Sequence, residues 1–363
     1  MGRGNKSLLL AGAMTWSFMT GCSHGTSSYS TLPTGQTFSQ STYQVNNKID
    51  ILWVVDNSSS MTPLQQNLVA NFNTFINNFQ SKGYDFHIAV TSTDAYLSGA
   101  AFRNDPSLAK FKDGAPGAET GVFMLDNNTP NLVTTFVANG SLGQTGSGDE
   151  RAFSSMKASL DSSLNSGFLR SDSFLAVIIL SDEDDFSDPT RPEDSWGYSG
   201  GIPDHDYSDP NLETVASYVS YMDTLTSSTS TNRRYNVNAI TVLDSACLAS
   251  HSAQAPSSII GQRYISFANS TNGILGSICD SNYANSIQLI QQRVIELSTQ
   301  FVLSRTPVES SIKVVVNNVS VPNDATNGWT YSSTTNSITF HGTAVPSQGA
   351  SISVSFDPAS ITL

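Results

Sequence analysis

Asp56-Asn57-Ser58-Ser59-Ser60 places one carboxylate and two hydroxyls at alternate positions, directly after a largely apolar run from Ile49 to Val55. Three oxygen donors on one tight loop suit a hard divalent cation, Mg2+ first and Mn2+ or Ca2+ after it. A second oxygen-rich loop, Ser181-Asp182-Glu183-Asp184-Asp185, follows the continuous apolar run Phe174 to Leu180. On its own this acidic loop reads as a solvated turn. Two such loops, each closing an apolar strand, point to a shared site. Nucleophilic or zinc chemistry has less support, because His24, His87, His205, His251 and His341 are scattered without His-x-x-x-His spacing.

Continuous apolar runs of this length predict strands covered on both faces, as in a parallel sheet. Between them, Leu64, Leu68, Phe72, Phe75, Ile76 and Phe79 recur at helical spacing. Phe86, Ile88 and Val90 alternate as a strand that Thr91-Ser92-Thr93-Asp94 closes. A helix is expected from Asp149 to Leu164 with Phe153, Met156, Leu160 and Leu164 on one face. Another helix is marked by Leu212, Val215, Val219 and Met222, and the last by Ile287, Ile290, Val294, Leu297 and Phe301. Strands and helices in alternation imply an α/β fold with a doubly wound, mostly parallel sheet flanked by helices over 46–305. Ligands of such sheets bind beyond the carboxyl ends of the strands, where both oxygen-rich loops lie. After Thr306-Pro307 the apolar period becomes two, with Val314, Tyr331, Ile338 and Val354 in short strands between turns. Residues 306–363 are therefore expected to form a small all-β, sandwich-like domain.

Asp-x-Ser-x-Ser at the end of a hydrophobic strand resembles the metal-ion-dependent adhesion site (MIDAS) of von Willebrand factor A (vWA) domains, a Rossmann-like fold. The resemblance covers about 46–305. It implies that Asp182, closing the second strand, completes the metal shell, in part through water, and that a third loop adds a threonine before a helix. The segment Gly146-Ser147-Gly148-Asp149-Glu150-Arg151 occupies that place without the threonine. Ser147 is left to supply the hydroxyl, or Asp149 a carboxylate; Asp149 equally suits a helix cap. An added carboxylate would neutralise more of the cation and weaken its attraction for an incoming acid. The implied function is an adhesin that grips a carboxylate of a protein or cell-envelope ligand through the cation, and not an enzyme. The competing expectation is a lipoprotein scaffold subunit of a secretion, motility or attachment complex.

The N-terminus supplies an address. Arg3 and Lys6 precede the short apolar stretch Leu8 to Met19, and Met19-Thr20-Gly21-Cys22 resembles the lipobox of bacterial lipoproteins. It implies a signal peptide over 1–22, lipidation of Cys22, and a membrane anchor in the outer membrane; an ordinary cleaved signal peptide is the alternative. Residues 23–45 are Ser/Thr-rich and read as a tether. A net charge of −13 argues against nucleic acid as a partner. Of the three cysteines, Cys247 and Cys279 remain as an even pair, expected either to form a disulfide between neighbouring strand ends or to be buried thiols. The acidic, aromatic stretch Asp184 to Pro210 is expected near the metal face, shaping partner specificity, binding structural Ca2+ through Asp204-His205-Asp206, or simply solvated.

Overall fold

The computed structural model describes residues 38–39, 43–44, 48–81, 83–192, 198–199, 202–203, 206–230, 232–253, 255–347 and 349–359. The signal peptide, Cys22, most of the tether, Trp196 and Asp204-His205 lie outside them. Strands β1 (Phe38–Ser39) and β2 (Tyr43–Gln44) come first. Then β3 (Lys48–Val55), α1 (Thr62–Ser81), β4 (Asp85–Ser92), β5 (Met124–Asp126), α2 (Leu132–Gly140), α3 (Ala152–Asp161) and β6 (Phe174–Leu180) follow. A hairpin of β7 (Tyr198–Ser199) and β8 (Ile202–Pro203) precedes α4 (Val215–Leu225). The alternation ends with β9 (Tyr235–Thr241), α5 (Ser245–His251), α6 (Gln262–Ser270), β10 (Leu275–Ser277) and α7 (Ala284–Ser298).

The central sheet has six strands in the order β10-β9-β6-β3-β4-β5, all neighbours parallel except the β4–β5 edge. Along β3 the side chains divide strictly. Ile49, Ile51, Trp53 and Val55 enter one apolar layer with α1 and α7, while Leu52 and Val54 enter the other with α3, α4 and α6. This is the period-two consequence of a strand covered on both faces. Full burial of each such side chain contributes about 1.5–3 kcal/mol. Chain order reverses between β3 and β6, whose helical connections leave in opposite directions, and this opens a crevice at their carboxyl ends. The chain is thus a mixed α/β fold with a mostly parallel sheet between helices.

The C-terminal region contributes β11 (Phe301–Val302), β12 (Lys313–Val316), β13 (Val319–Val321), β14 (Trp329–Ser332), β15 (Ser337–Phe340) and β16 (Ser351–Phe356). They form two small antiparallel sheets. Two short strands from the stretch expected as a tether join them: β1 and β2 both pair with β16, satisfying backbone groups that a tether would leave to water. Phe301, Ile338, Phe340 and Ile352 share one apolar cluster with Ile287, Ile290 and Val294 of α7. Phe301, expected at the end of the last helix, instead starts β11.

The helix expected from Asp149 begins at Ala152, with Arg151 at the capping position. Its first free N–H groups find partners elsewhere: Phe153 N donates to Asp185 Oδ1 at 2.8 Å and Ser154 N to Ser187 Oγ at 3.0 Å. A cap brought in from the β6 loop removes any need for Asp149 in that role. Leu164, expected on the buried face of this helix, is exposed beyond its end. The disulfide is present: Cys247 on α5 bonds Cys279 just after β10, with Cα atoms 5.6 Å apart. Strands β9 and β10 are parallel neighbours, so the two chain segments that follow them are already close.

Candidate metal centre

Strands β3 and β6 run in register, Val55 opposite Leu180, so the loops that leave them emerge side by side. Asp56 N still donates to Leu180 O at 2.9 Å before the strands part. Asp56 then turns the chain by accepting from Ser58 N on Oδ1 at 2.8 Å, while its Oδ2 accepts from Ser181 Oγ at 2.7 Å. Gln65 of α1 holds the loop from below, its Nε2 donating to Asp56 O at 2.8 Å. The Ser58 and Ser60 hydroxyls lie 3.2 Å apart, and Ser60 Oγ donates to Asp182 Oδ1 at 3.0 Å. Asp56, Ser58, Ser60 and Asp182 are thereby one connected group of oxygens. Asp56 and Asp182 are fully buried, whereas Ser59 is exposed and Ser60 partly so, which leaves one open side.

Two residues not picked out by motif complete the surroundings of Asp182. His251 Nε2 lies 2.9 Å from its Oδ2, and Ser258 Oγ donates to the same oxygen at 2.9 Å. His251 is the last residue of α5, the helix that the disulfide fixes to the β10 loop.

The third loop reaches the same place. Gly146 N donates to Asn57 O at 2.9 Å, so close that a Cβ at Gly146 would stand 2.5 Å from Asn57 Cγ. Ser147 N donates to Asp94 Oδ1 at 3.1 Å, and Asn57 Nδ2 donates to Asp94 Oδ2 at 3.0 Å. Asp94, which closes β4, therefore ties the first and third loops together. Ser147 Oγ accepts from Asp149 N at 3.1 Å. Asp149 is not brought to the group: Arg151 Nη2 pairs with it at 2.6 Å and Arg191 Nη2 at 2.7 Å. With two guanidinium groups on one carboxylate, its charge is spent in a buried ion-pair network.

Glu150, the next residue, is 2% exposed, and neither carboxylate oxygen makes a well-formed hydrogen bond. The Thr93 hydroxyl gives it only partial compensation. Burial drives its pKa well above the usual carboxylate range, and the charge of Asp56 adds to the effect, followed by that of Glu183. Asp56 is raised in the same way, by burial first and then by Asp182 and Glu183. Among the described residues no Lys or Arg side chain pairs with Asp56, Glu150 or Asp182.

Asp184 and Asp185 of the same loop are structural. Asp184 accepts from Arg263 N with both oxygens at 3.1 Å, capping α6, and from Tyr207 Oη at 2.8 Å. Burial lifts its pKa to about 6. Asp185 caps α3 and pairs with Arg263 at 3.1 Å. Both are fully buried, so this is no solvated turn.

The donor chemistry fits a divalent cation. Carboxylate and hydroxyl oxygens are what Mg2+ and Ca2+ select, and a group of buried acids without Lys or Arg partners is stabilised by a positive charge. Among the described residues no group of three or more His, Cys, Asp or Glu side chains that could hold a metal ion is found, so a cation here would depend on the Ser58 and Ser60 hydroxyls beside Asp56 and Asp182. One Gly-x-Ser-x-Gly pattern occurs at Gly197-Tyr198-Ser199-Gly200-Gly201, but Ser199 ends a strand of a short antiparallel hairpin. A nucleophile elbow needs a strand that leads into a helix, whereas the described residues around this pattern are two paired strands.

No family model matches the chain, and no curated protein matches it in sequence. Solved structures similar to it include the pilus adhesin SpaC from Lactobacillus rhamnosus GG in its open conformation, at 12% identity and a TM-score of 0.38, over 85% of this chain and 38% of that one. Proximal thread matrix protein 1 from the mussel byssus is similar at 12% identity and a TM-score of 0.34, over 73% of this chain and 51% of its own. The chain thus spans from over a third to about half of those proteins' lengths. Likeness at this level carries no functional weight.

Proposed function

We propose that this is a vWA-like, doubly wound domain with a MIDAS-type cation site, anchored as an outer-membrane lipoprotein through Cys22. Its function in this reading is to bind an acidic group of a protein or cell-envelope ligand. The observation that carries the reading is the bond from Ser60 to Asp182, which joins the oxygen-rich ends of β3 and β6 at the sheet's switch point. Asp56 and Asp182 supply charge, and Ser58 and Ser60 supply neutral lone pairs. A divalent cation held there offers an electrophilic position on the open side, where Ser59 and Ser60 meet solvent. His251 and Ser258 orient Asp182, as outer partners of a ligating carboxylate do. The lipoprotein part of the proposal rests on Met19-Thr20-Gly21-Cys22, outside the described residues.

The test is binding of the full chain to immobilised Asp- and Glu-containing peptides in Mg2+, in Mn2+ and in EDTA. Retention with cation, lost in EDTA and in Asp56→Ala and Ser58→Ala, is the expected result. Retention that is indifferent to EDTA and to both substitutions would refute the proposal.

A further inference from the structure

The candidate cation site and the N-terminal end of the described chain lie at opposite poles of the fold. Asp56 and Asp182 follow the carboxyl ends of β3 and β6. Helix α7 starts on that same side, where Tyr283 Oη donates to Ile278 O at 3.2 Å just after β10. Over its 15 residues it runs back about 22 Å, at 1.5 Å per residue, and delivers β11 beside the amino ends of the strands. There Gln300 Nε2 donates to Ser337 Oγ at 2.7 Å, and Arg233 and Tyr235 at the start of β9 share a small cleft with Thr335 of the β14–β15 turn. The small antiparallel sheets therefore cap the amino-end pole. Strands β1 and β2 pair with β16 of those sheets, Phe38 opposite Phe356 and Tyr43 opposite Ile352, so the chain enters the fold at this pole.

We infer that β1 and β2 moor the lipid-anchored end of the chain at the pole opposite the cation site, so that the site faces away from its own bilayer and takes its acidic ligand from a facing surface. This rests on the lipoprotein and cation-site readings above and deepens them. With the mooring at Phe38, only residues 23–37 are left to reach from Cys22 to the fold. A flexible segment of that length covers roughly 20 Å, and about 50 Å when fully drawn out. Turning the site onto the same bilayer would stretch it past the small sheets and the whole central sheet, whose eight-residue β3 alone rises about 26 Å. Charge favours the same pose. Residues 301–363 hold two basic and three acidic residues, net −1 of the chain's −13, and the surplus of acids falls in residues 48–300. Anionic headgroups repel that acidic part and tolerate the amino-end pole.

The test puts one fluorophore at each pole of the full chain, expressed with its signal segment and reconstituted into vesicles that contain an acceptor lipid. Val308, 44% exposed, lies beside the moored end, its N–H donating to Asp357 O, and the exposed Ser257 adjoins the site through Ser258. Cys247 and Cys279 are bonded to each other, so Val308→Cys and Ser257→Cys can each be labelled alone once Cys22 is acylated. Energy transfer to the bilayer should be several-fold stronger from Val308→Cys than from Ser257→Cys, in Mg2+ and in EDTA alike. Equal transfer from the two, or stronger transfer from Ser257→Cys, would overturn the inference. Ser39→Cys combined with Ser355→Cys, directly opposite in the register, should cross-link on oxidation. A folded double variant that does not cross-link lacks the mooring and overturns the inference as well. A chain without an acyl group on Cys22 removes the anchor reading and the inference with it. Probes that differ in a chain that binds no cation uphold the orientation and remove the cation-site reading alone.

Discussion

One fully buried aspartate lies near the amino end of strand β3 and another directly follows its carboxyl end, and the two are treated in opposite ways. Near the amino end, Asp50 accepts from Arg170 N at 2.8 Å and pairs with the Arg170 guanidinium at 2.7 Å, with Ser173 Oγ as a further donor. Arg170 also binds Asp85 at 2.7 Å, so the charges at this end largely close among themselves. Beyond the carboxyl end, Asp56 has one backbone N–H and the Ser181 hydroxyl, and the charges that act on it are those of other acids. Burial raises both pKa values, but Arg170 and Ser173 pull Asp50 back while Asp182 and Glu183 push Asp56 further. A buried charge with its counterion built in is architecture. One whose neighbours share its sign is held as the protonated acid unless a counterion arrives from outside.

The contrast is broken most severely at the amino end. Arg170→Ala strips Asp50 of its partner and should cost about 3–5 kcal/mol in denaturant unfolding, equally with and without cation. Asp56→Asn, at the other end, should stabilise the metal-free protein and abolish the cation response. Equal losses from both variants would show that the two ends do not differ.

The disulfide comes next. Its sequence separation of 32 gives about 3–4 kcal/mol in the loop-closure model, which paired replacement by serine should remove. Because α5 carries His251 to Asp182, cation affinity measured on the still-folded variant should also fall by several-fold.

The pH response sharpens the comparison further. Asp56 and Glu150 are raised in the fold, and Asp184 is raised to about 6. The folded state therefore keeps protons that the unfolded chain has released. That stability is fully present below about pH 4 and is lost as pH rises through the folded values. In EDTA the melting temperature should rise by a few degrees between pH 7.5 and 5.5. Saturating cation should flatten the part of the rise that belongs to Asp56, because it stabilises that group's ionised form. The smallest expected effect is that of Asp244→Ala: this residue caps α5 through Ala246 N and Cys247 N, and its loss should cost about 1 kcal/mol by thermal unfolding.

Much of the scaffold is legible in the residues themselves. The apolar runs of β3 and β6, the helical spacing in α1 and the period-two strands of the C-terminal region are local patterns with local causes. The edge strand β5 is three residues long, and α5 and α6 are helices of seven and nine, too short to show a period. At the site, Asp56, Ser58, Ser60 and Asp182 are readable because strand ends announce them. The removal of Asp149 is not, because it depends on Arg191, some forty residues away, and on a helix whose cap is brought in by Asp185. His251 and Ser258 escape for the same reason: only the fold brings them to Asp182.

The central claim is that Asp56 and Asp182, with the hydroxyls of Ser58 and Ser60, hold a divalent cation. Calorimetric titration of Mn2+ or Mg2+ into the full chain and into its Asp56→Asn variant tests it most directly. Saturable binding near one ion per chain, absent from the variant, is the predicted result. No binding to the wild type, or the same isotherm for both proteins, would contradict it.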